Sequence, residues 1–326
     1  MILVTGGAGY IGSHACAILQ NRGIGVVAVD NLSKGYEKAV KCKLYVGDLR
    51  DSILLDKIFS ENKIDGVIHF AANSLVGESM KIPLVYYDNN VFSAINLLNA
   101  MVKYNVKNIV FSSTASTYGI PKNDIVSETD VNAPINTYGE TKLAIEKMLK
   151  WCNVAYGIKY TILRYFNVAG ALSDGSIGEA HDPETHLIPI VLKVALGQNP
   201  VMKLFGDDYN TADGTCIRDY IHVEDLIEAH LLALEYLKND VDNSDIFNLG
   251  NGFGFSNKQI VEASRLITGH PIPTVIEARR PGDPDVLVAS SEKAKRILGW
   301  TPKITSIEQI ISSAWNWHSK NPNGYK

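Results

Sequence analysis

The sequence predicts an α/β fold, a doubly wound parallel sheet with a smaller mixed α/β substrate domain at its C-terminal end. Three observations predict it. Short apolar runs alternate with helical patterns through the first half of the chain, and strands separated by helices pair in parallel with both faces of the sheet covered. The first run, residues 2–4, stops at glycines spaced Gly6-x-x-Gly9-x-x-Gly12, and an apolar helical pattern follows through Ile11, Ala15, Ile18 and Leu19. The second run, residues 25–29, ends on a carboxylate, Asp30.

Taken in order, strands are expected at 2–5, 25–30, 43–46, 66–70, 108–112 and 159–164, with helices around 11–21, 52–61, 90–104 and 137–154. Beyond Phe166 the pattern loosens, and Gly170, Gly175 and Gly178 punctuate a polar stretch that ends near Pro183. Helices are expected at 186–196, from about 223 to 237, and at 257–268, 291–298 and 305–319, with a strand at 247–249. The expected division is a dinucleotide-binding domain over 1–167, completed by parts of 215–250, and a substrate domain over 168–326. Two helices, 90–104 and 137–155, are apolar over more of their circumference than one sheet contact needs. Either other elements of the chain cover them, or they meet a second copy as a four-helix bundle; the expectation is the homodimer.

Composition bounds the function. With 326 residues, 46% of them hydrophobic and 20% charged, the chain suits a well-packed globule of two domains or one large unit. A formal net charge of -4 carries no basic excess, which argues against a nucleic-acid partner. Cys16, Cys42, Cys152 and Cys216 lie too far apart in sequence for a zinc cluster or redox pair, and fit a reduced, cytoplasmic setting. A strand beginning at residue 2 leaves no room for a signal peptide, and no run is long enough to cross a membrane. No set of residues reads as a metal site.

The chemistry starts at the glycines. Strand, tight turn and helix N-terminus form a pyrophosphate cradle, because missing Cβ atoms admit the ligand and unpaired helix N–H groups face its charge. Asp30 falls where a carboxylate meets a ribose diol, so the expected cofactor is a dinucleotide. Tyr138 and Lys142 are four residues apart and share a helix face. An ammonium beside a phenol favours the phenolate, which makes Tyr138 a general base, while the lysine also reaches a ribose. Ser112, Ser113 and Thr114 end the fifth strand at the ligand edge of the sheet. A hydroxyl there either bridges the sugar oxygen and the tyrosine or caps a turn. Asn167 follows the sixth strand and offers an amide to the substrate. His69 and His222 sit in apolar strands and read as packed core. Arg218, Arg279 and Arg280, near the Gly282–Asp283 turn, are either plain surface arginines or a clamp for a diphosphate, with Asp283 toward a second ribose.

Read together, these blocks carry a resemblance. Thr5-Gly6-Gly7-Ala8-Gly9-Tyr10-Ile11-Gly12-Ser13-His14, Asp30-Asn31-Leu32, Gly47-Asp48-Leu49, His69-Phe70-Ala71-Ala72, Val76-Gly77-Glu78-Ser79, Tyr138-x-x-x-Lys142, Arg164-Tyr165-Phe166-Asn167, Arg218-Asp219-Tyr220-Ile221-His222-Val223 and Arg279-Arg280-Pro281-Gly282-Asp283 run in that order. Over nearly its whole length the chain resembles the extended short-chain dehydrogenase/reductase superfamily, and within it the nucleotide-sugar 4-epimerases. The resemblance implies a Rossmann domain with tightly bound NAD and reversible inversion at C4 of a UDP-hexose, UDP-glucose or UDP-galactose, through a 4-keto intermediate. It implies that Gly6, Gly9, Tyr10, Ile11 and Gly12 shape the pyrophosphate loop, that Asp30 binds the adenosine ribose with Asn31 and Ser33 beside it, and that Asp48 and Leu49 border the adenine. Phe70 and Ala71 then line the cofactor cleft, with Asn89 near it and Ser112 and Tyr165 toward the nicotinamide. Thr114 takes the catalytic hydroxyl position, Tyr138 is the base and Lys142 holds the nicotinamide ribose. Asn167 contacts the sugar nucleotide, Leu187 lies in the uridine region, Arg218, Arg280 and Asp283 clamp the UDP, and Leu287 borders the sugar's C2 side.

Three positions depart from the resemblance. Ser74 stands where many members carry a lysine, Thr114 where serine is common, and Leu287 is intermediate between the tyrosine associated with rejecting N-acetyl sugars and the small residue associated with accepting them. A dual-specificity epimerase acting also on UDP-N-acetylglucosamine is therefore an alternative. A dehydratase or decarboxylase of the same superfamily needs an acid after Thr114, where this chain has Ala115-Ser116. A non-catalytic NAD-binding regulator is the reading from another class, and the intact Tyr138 and Lys142 speak against it.

Overall fold

The computed structural model describes residues 1–238, 243–280 and 282–326. Residues 239–242, inside the 215–250 stretch, and Pro281 of the arginine turn lie outside the described residues. Among those described, β1 (Ile2–Thr5), β2 (Val26–Asp30), β3 (Lys43–Val46), β4 (Gly66–His69), β5 (Asn108–Thr114), β6 (Lys159–Tyr165) and β7 (Asp245–Leu249) form one parallel sheet. Their spatial order is β7-β6-β5-β4-β1-β2-β3. The order reverses between β1 and β4, so a crevice opens past the C-terminal ends of those strands.

Successive residues of each strand point into opposite layers. Val4, Ala28, Ile68, Val110, Leu163 and Phe247 face one core, shared with α1 (Tyr10–Asn21) and with Leu226, Ile227 and Leu234 of the Val223–Tyr236 helix. Leu3, Val27, Val67, Ile109, Phe111 and Ile162 face the other. That second layer is closed by α2 (Ser52–Glu61), α3 (Ser93–Lys103) and α4 (Thr137–Tyr156), through Leu55, Ile58, Leu97, Met101, Ile145 and Leu149. We number the later helices α5 (Leu187–Ala195), α6 (Val223–Tyr236), α7 (Asn257–Thr268), α8 (Glu292–Leu298) and α9 (Ile307–Lys320).

Two elements differ from the periodicity. The strand expected to stop at residue 112 runs on to Thr114, because its two extra polar residues find buried partners within the fold. The helix expected from residue 90 begins in π geometry at Tyr87–Phe92 before continuing as α3. The C-terminal half adds a smaller unit in which α5, α7 and α9 share a core. Its short strands include Asn167–Ala169 paired in parallel with Tyr220–His222, and a four-stranded sheet containing Ile217–Arg218 and Val286–Ala289. The same half returns α6 and β7 to the large sheet, and Trp300, 1% exposed, donates its indole N–H to the Asp225 carbonyl of α6 at 2.9 Å. Among the described residues no helix is long and apolar enough to cross a membrane.

A buried ion pair ties α4 to the sheet. Arg164 of β6 donates from Nε to Glu146 Oε1 at 2.9 Å and from a second nitrogen to the other oxygen, with both side chains at most 2% exposed. Ser113 of β5 donates to the same Glu146 oxygen. The guanidinium also lies 4.8 Å over the Tyr118 ring, whose hydroxyl donates to Asn248 of β7 at 2.7 Å. One carboxylate thus anchors a helix to two strands. Arg164→Met leaves that carboxylate buried without its partner, and the expected loss in urea unfolding is about 3–5 kcal/mol. A variant as stable as the parent chain would show that the pair does not anchor the helix.

Candidate active site

At the end of β1 the glycines have separate causes. Gly6 adopts φ +68°, and a Cβ there would stand 2.7 Å from the Ala71 amide nitrogen; at Gly12 it would stand 2.1 Å from the Gly6 carbonyl oxygen. The protein's own backbone requires both. Gly9 is different, since a Cβ would meet only the Gly6 oxygen, at 3.4 Å. Gly9 caps α1 with no side-chain hydrogen bond, and the first turn of α1 holds no acidic residue. The positive end of the helix is left bare, at a point where the missing side chain makes room for something outside the chain, and a dinucleotide's pyrophosphate fits that cradle.

Asp30 secures the turn from β2, accepting from the Ala8 N–H at 3.0 Å and the Leu32 N–H at 2.8 Å, while burial raises its pKa. Asn31 donates to Asp48 at 2.9 Å and accepts from the Ser33 N–H at 3.1 Å. Arg50 grips Asp48 and holds that carboxyl well below the usual range, and Leu49 beside it is buried. The residues expected around an adenosine are therefore gathered past the ends of β2 and β3. Tyr10 reaches the other way, donating to the Gly170 carbonyl at 2.7 Å.

The groups expected to react meet past β5 and β6. Asn136 caps α4 by accepting from the Gly139 N–H at 2.8 Å, and the Tyr138 N–H donates to Ser79 Oγ at 3.2 Å, so the Val76–Ser79 turn helps to seat the tyrosine. Lys142, 3% exposed, donates to the Ser112 carbonyl at 2.8 Å. Its ammonium lies 4.9 Å from the Phe111 ring centroid and 6.0 Å from that of Tyr138. Burial brings Lys142 down to about 7, against an opposing pull from Glu146 one turn on. Burial also pushes Tyr138 up to about 12, with the Thr114 hydroxyl acting to lower it. The expectation that the ammonium lowers the phenol is thus corrected for the protein alone: desolvation dominates, and the ammonium is directed at the Ser112 carbonyl. Thr114 caps a turn, its oxygen accepting from the Ser116 N–H at 3.1 Å, and its hydroxyl also acts to lower the phenol.

Ser112 is fully engaged: its hydroxyl accepts from Tyr165 at 2.9 Å and lies 3.0 Å from His230 Nε2. The Phe70 ring packs against His230 with centroids 4.8 Å apart. His69 pairs with Thr5 at 2.6 Å and is lowered to about 3 by burial, and His222 contacts Ser313 at 2.9 Å. Past the small sheet, Arg218 donates to the Ile217 and Pro284 carbonyls at 2.8 and 2.9 Å and faces Asp283 at 3.5 Å. Leu287 lies opposite Arg218 in register, and Asn167 donates to the Asp219 carbonyl at 3.1 Å. Arg280 covers the Phe205 ring at 4.1 Å, whereas Arg279 turns away to Asp208 and Asp285. Leu187 opens α5 against an apolar cluster.

Sequence reasoning missed two groups. Asn90 is fully buried in the π-helical stretch, bonded to both backbone groups of Asn73 at 2.8 and 3.1 Å and to Thr141 at 3.0 Å, while Asn89 donates to it at 3.0 Å. It locks that stretch onto α4 one residue before Lys142, and its only signal was a tandem asparagine in an apolar pattern. Glu179, His181, Glu184 and His186 bring four metal-capable atoms within 4.8 Å of one another, where no metal site was expected. Their density in eight consecutive positions was visible.

A sequence model of the NAD dependent epimerase/dehydratase family matches residues 2–250. The chain belongs to this family. It is 59% identical over 325 residues to UDP-glucose 4-epimerase of Halalkalibacterium halodurans, across 99% of this chain and 97% of that protein. A crystal structure of a UDP-glucose 4-epimerase superposes with TM-score 0.98 at 57% identity, covering 100% of this chain and 99% of that one. The Bifidobacterium longum UDP-glucose 4-epimerase in complex with NAD+ and UDP superposes with TM-score 0.93 at 41% identity, covering 99% of each chain. As a member of the epimerase/dehydratase family the chain is an enzyme on a Rossmann-like parallel sheet with a smaller C-terminal substrate domain, and NAD is its cofactor.

The lysine in this family member yields a stability test. Lys142 sits at about 7 when folded and regains its ordinary 10.5 when unfolded. Between those values the unfolded chain binds more protons, so this group makes stability rise with pH across that window; below it the penalty for burying the charge is complete. Urea unfolding of the parent chain and Lys142→Met across the window should show the parent gaining on the variant as pH rises. Parallel curves would overturn the assignment.

Proposed function

We propose that the chain catalyses reversible NAD-dependent C4 epimerisation of UDP-glucose and UDP-galactose through a 4-keto intermediate. The observation that carries this reading is the meeting of Tyr138, Lys142 and Thr114 past β5 and β6, in the same crevice as the uncapped glycine turn. The dinucleotide-binding domain is read as 1–167 completed by parts of 215–250, and 168–326 as the UDP-sugar domain.

When bound, NAD supplies reversible hydride exchange at C4 and a cationic ring. Gly6, Gly9, Tyr10, Ile11 and Gly12 hold its pyrophosphate at the start of α1; Asp30, Asn31, Ser33, Asp48 and Leu49 hold the adenosine. Phe70, Ala71, Asn89, Ser112 and Tyr165 line the cleft, and Ser74 adds no charge to it. Tyr138 takes the C4 hydroxyl proton and later returns it. A cation beside the phenol offsets the burial that raises it in the protein alone. Lys142 holds its ammonium on the same helix face and reaches the ribose, and Thr114 orients the proton. Asn167, Leu187, Arg218, Arg280 and Asp283 grip the UDP, which frees the hexose to turn and present its other face, with Leu287 beside C2. Ala115-Ser116 offers no acid for elimination, so the 4-keto sugar goes back to a hydroxyl rather than on to a dehydrated product.

The chain is also read as a homodimer in the cytoplasm. Phe92, Ile95 and Val102 on one helical element, and Trp151, Val154 and Tyr156 on α4 beside it, expose apolar surface, with Trp151 73% and Val154 75% exposed. Two such helices and their symmetry mates form a four-helix bundle. The four cysteines are free, which supports a reducing compartment.

Proton NMR of protein incubated separately with UDP-glucose and UDP-N-acetylglucosamine, with no added coenzyme, tests the reaction. Galacto product from the first is expected, and product from the second as well would mean that Leu287 leaves room for an acetamide. Conversion of neither, even with NAD added, would sink the assignment. Tyr138→Phe should lower kcat by about 10²–10⁴-fold without releasing NAD. For the assembly, light scattering should give twice the chain mass, falling to a single chain in Trp151→Glu/Val154→Glu; a monomeric parent chain would refute the dimer.

A further inference from the structure

We infer that residues 179–186 form a binding site for a divalent transition ion of the zinc class, held by Glu179, His181, Glu184 and His186. Four donors with nitrogen and oxygen ligands and no thiolate suit zinc, cobalt or nickel rather than magnesium or calcium.

The spacing of the donors supports this. His186 Nδ1 lies 2.7 Å and His181 Nδ1 3.3 Å from Glu179 Oε1, while the Glu184 carboxylate lies 3.5 Å from His186 Nδ1 and 3.6 Å from His181 Nδ1. A tetrahedral ion with bonds of about 2.0–2.2 Å sets its ligands about 3.3–3.6 Å apart; three of these nitrogen–oxygen separations fall there and one is shorter, the two through Glu184 being to different oxygens of its carboxylate. A second observation points the same way. Glu179 is 3% exposed, yet its Oε1 has no hydrogen-bond partner among the described residues, and neither has His181 Nδ1. These atoms approach one another closely without the alignment of a hydrogen bond, as donors sharing a common centre do.

The surroundings fit a structural ion. Glu184 Oε1 is oriented by the Thr185 and His186 N–H groups at 2.8 and 3.0 Å, the kind of outer support that fixes a ligating carboxylate. His186 is about half exposed and gives an entry path, and four protein donors leave no open position for catalysis. Bound there, an ion clips the loop beside the Tyr10 ring, 6.3 Å from that of His181, to the N-cap of α5.

Chelator-stripped full-length chain titrated with Co²⁺ tests the site, independently of any assay for epimerisation. One ion per chain is expected, with the intense visible absorption of four-coordinate cobalt and no thiolate charge-transfer band. Zn²⁺ should displace it and raise Tm. His181→Asn and Glu184→Gln, each checked for native circular dichroism, should weaken binding by more than about 100-fold, beyond the effect of losing an outer partner. A weak six-coordinate spectrum, a thiolate band, or binding that survives His181→Asn would overturn the proposal and leave the cluster a charge-balanced set of ion pairs.

Discussion

The arrangement of reacting groups depends on a constraint at one residue. β5 lies deep inside a parallel sheet with both faces covered, and every polar group at its C-terminal end must be satisfied there. Ser112 meets that demand twice, taking the Lys142 ammonium on its carbonyl and the Tyr165 hydroxyl and His230 ring on its side chain. Ser113 passes the next demand to Glu146 and Arg164. The result is that α4, β5 and β6 hold one another in register, and Tyr138 takes its place from these buried hydrogen bonds together with its own amide on Ser79. Burial that strong also sets the electrostatics, and it moves Lys142 down and Tyr138 up together.

The cofactor end is held on a different principle. Gly6 and Gly12 are imposed by backbone packing, and Asp30 braces the turn through two N–H groups. Gly9 is bare although nothing in the chain crowds it. Of the three glycines, Gly9 alone has a smallness that the chain's own packing does not require, which makes it the candidate for close approach of a ligand.

Much of this was legible in the sequence, because the features concerned are local. Strands and helices of the sheet follow from periodicity, the turn from glycine spacing, and the Tyr138–Lys142 face from a separation of four. What was not legible depends on long-range partners. Thr114 belongs to a strand because it pairs with Tyr165, 51 residues on, while Ser113 beside it finds Glu146. Asn90 is indistinguishable from its neighbour Asn89 until Asn73 and Thr141 close around it. Arg279 and Arg280 are adjacent in sequence, yet one faces Asp208 and the other covers Phe205. The direction of the Tyr138 shift was misjudged for the same reason, since a helix face reveals a charge nearby but not how completely both groups are desolvated.

These contrasts bear on how one site can serve both faces of a sugar. In the proposed inversion the cofactor and the base stay in place while the hexose turns. Backbone and buried bonds hold the glycine turn and α4, whereas among the residues read as the UDP clamp Arg280 is held by stacking on Phe205 and Asp283 by an ion pair with Arg218, itself bonded to two backbone carbonyls. The stretch 179–186 lies between these regimes, packed on Tyr10 of the glycine turn and ending at the start of α5. His186 caps α5 without a side-chain hydrogen bond to it, so the helix's own capping does not position this loop. The loop is instead tied by Tyr325, whose hydroxyl donates to the Gly178 carbonyl at 3.0 Å, and by the Glu179 ion pairs with His181 and His186.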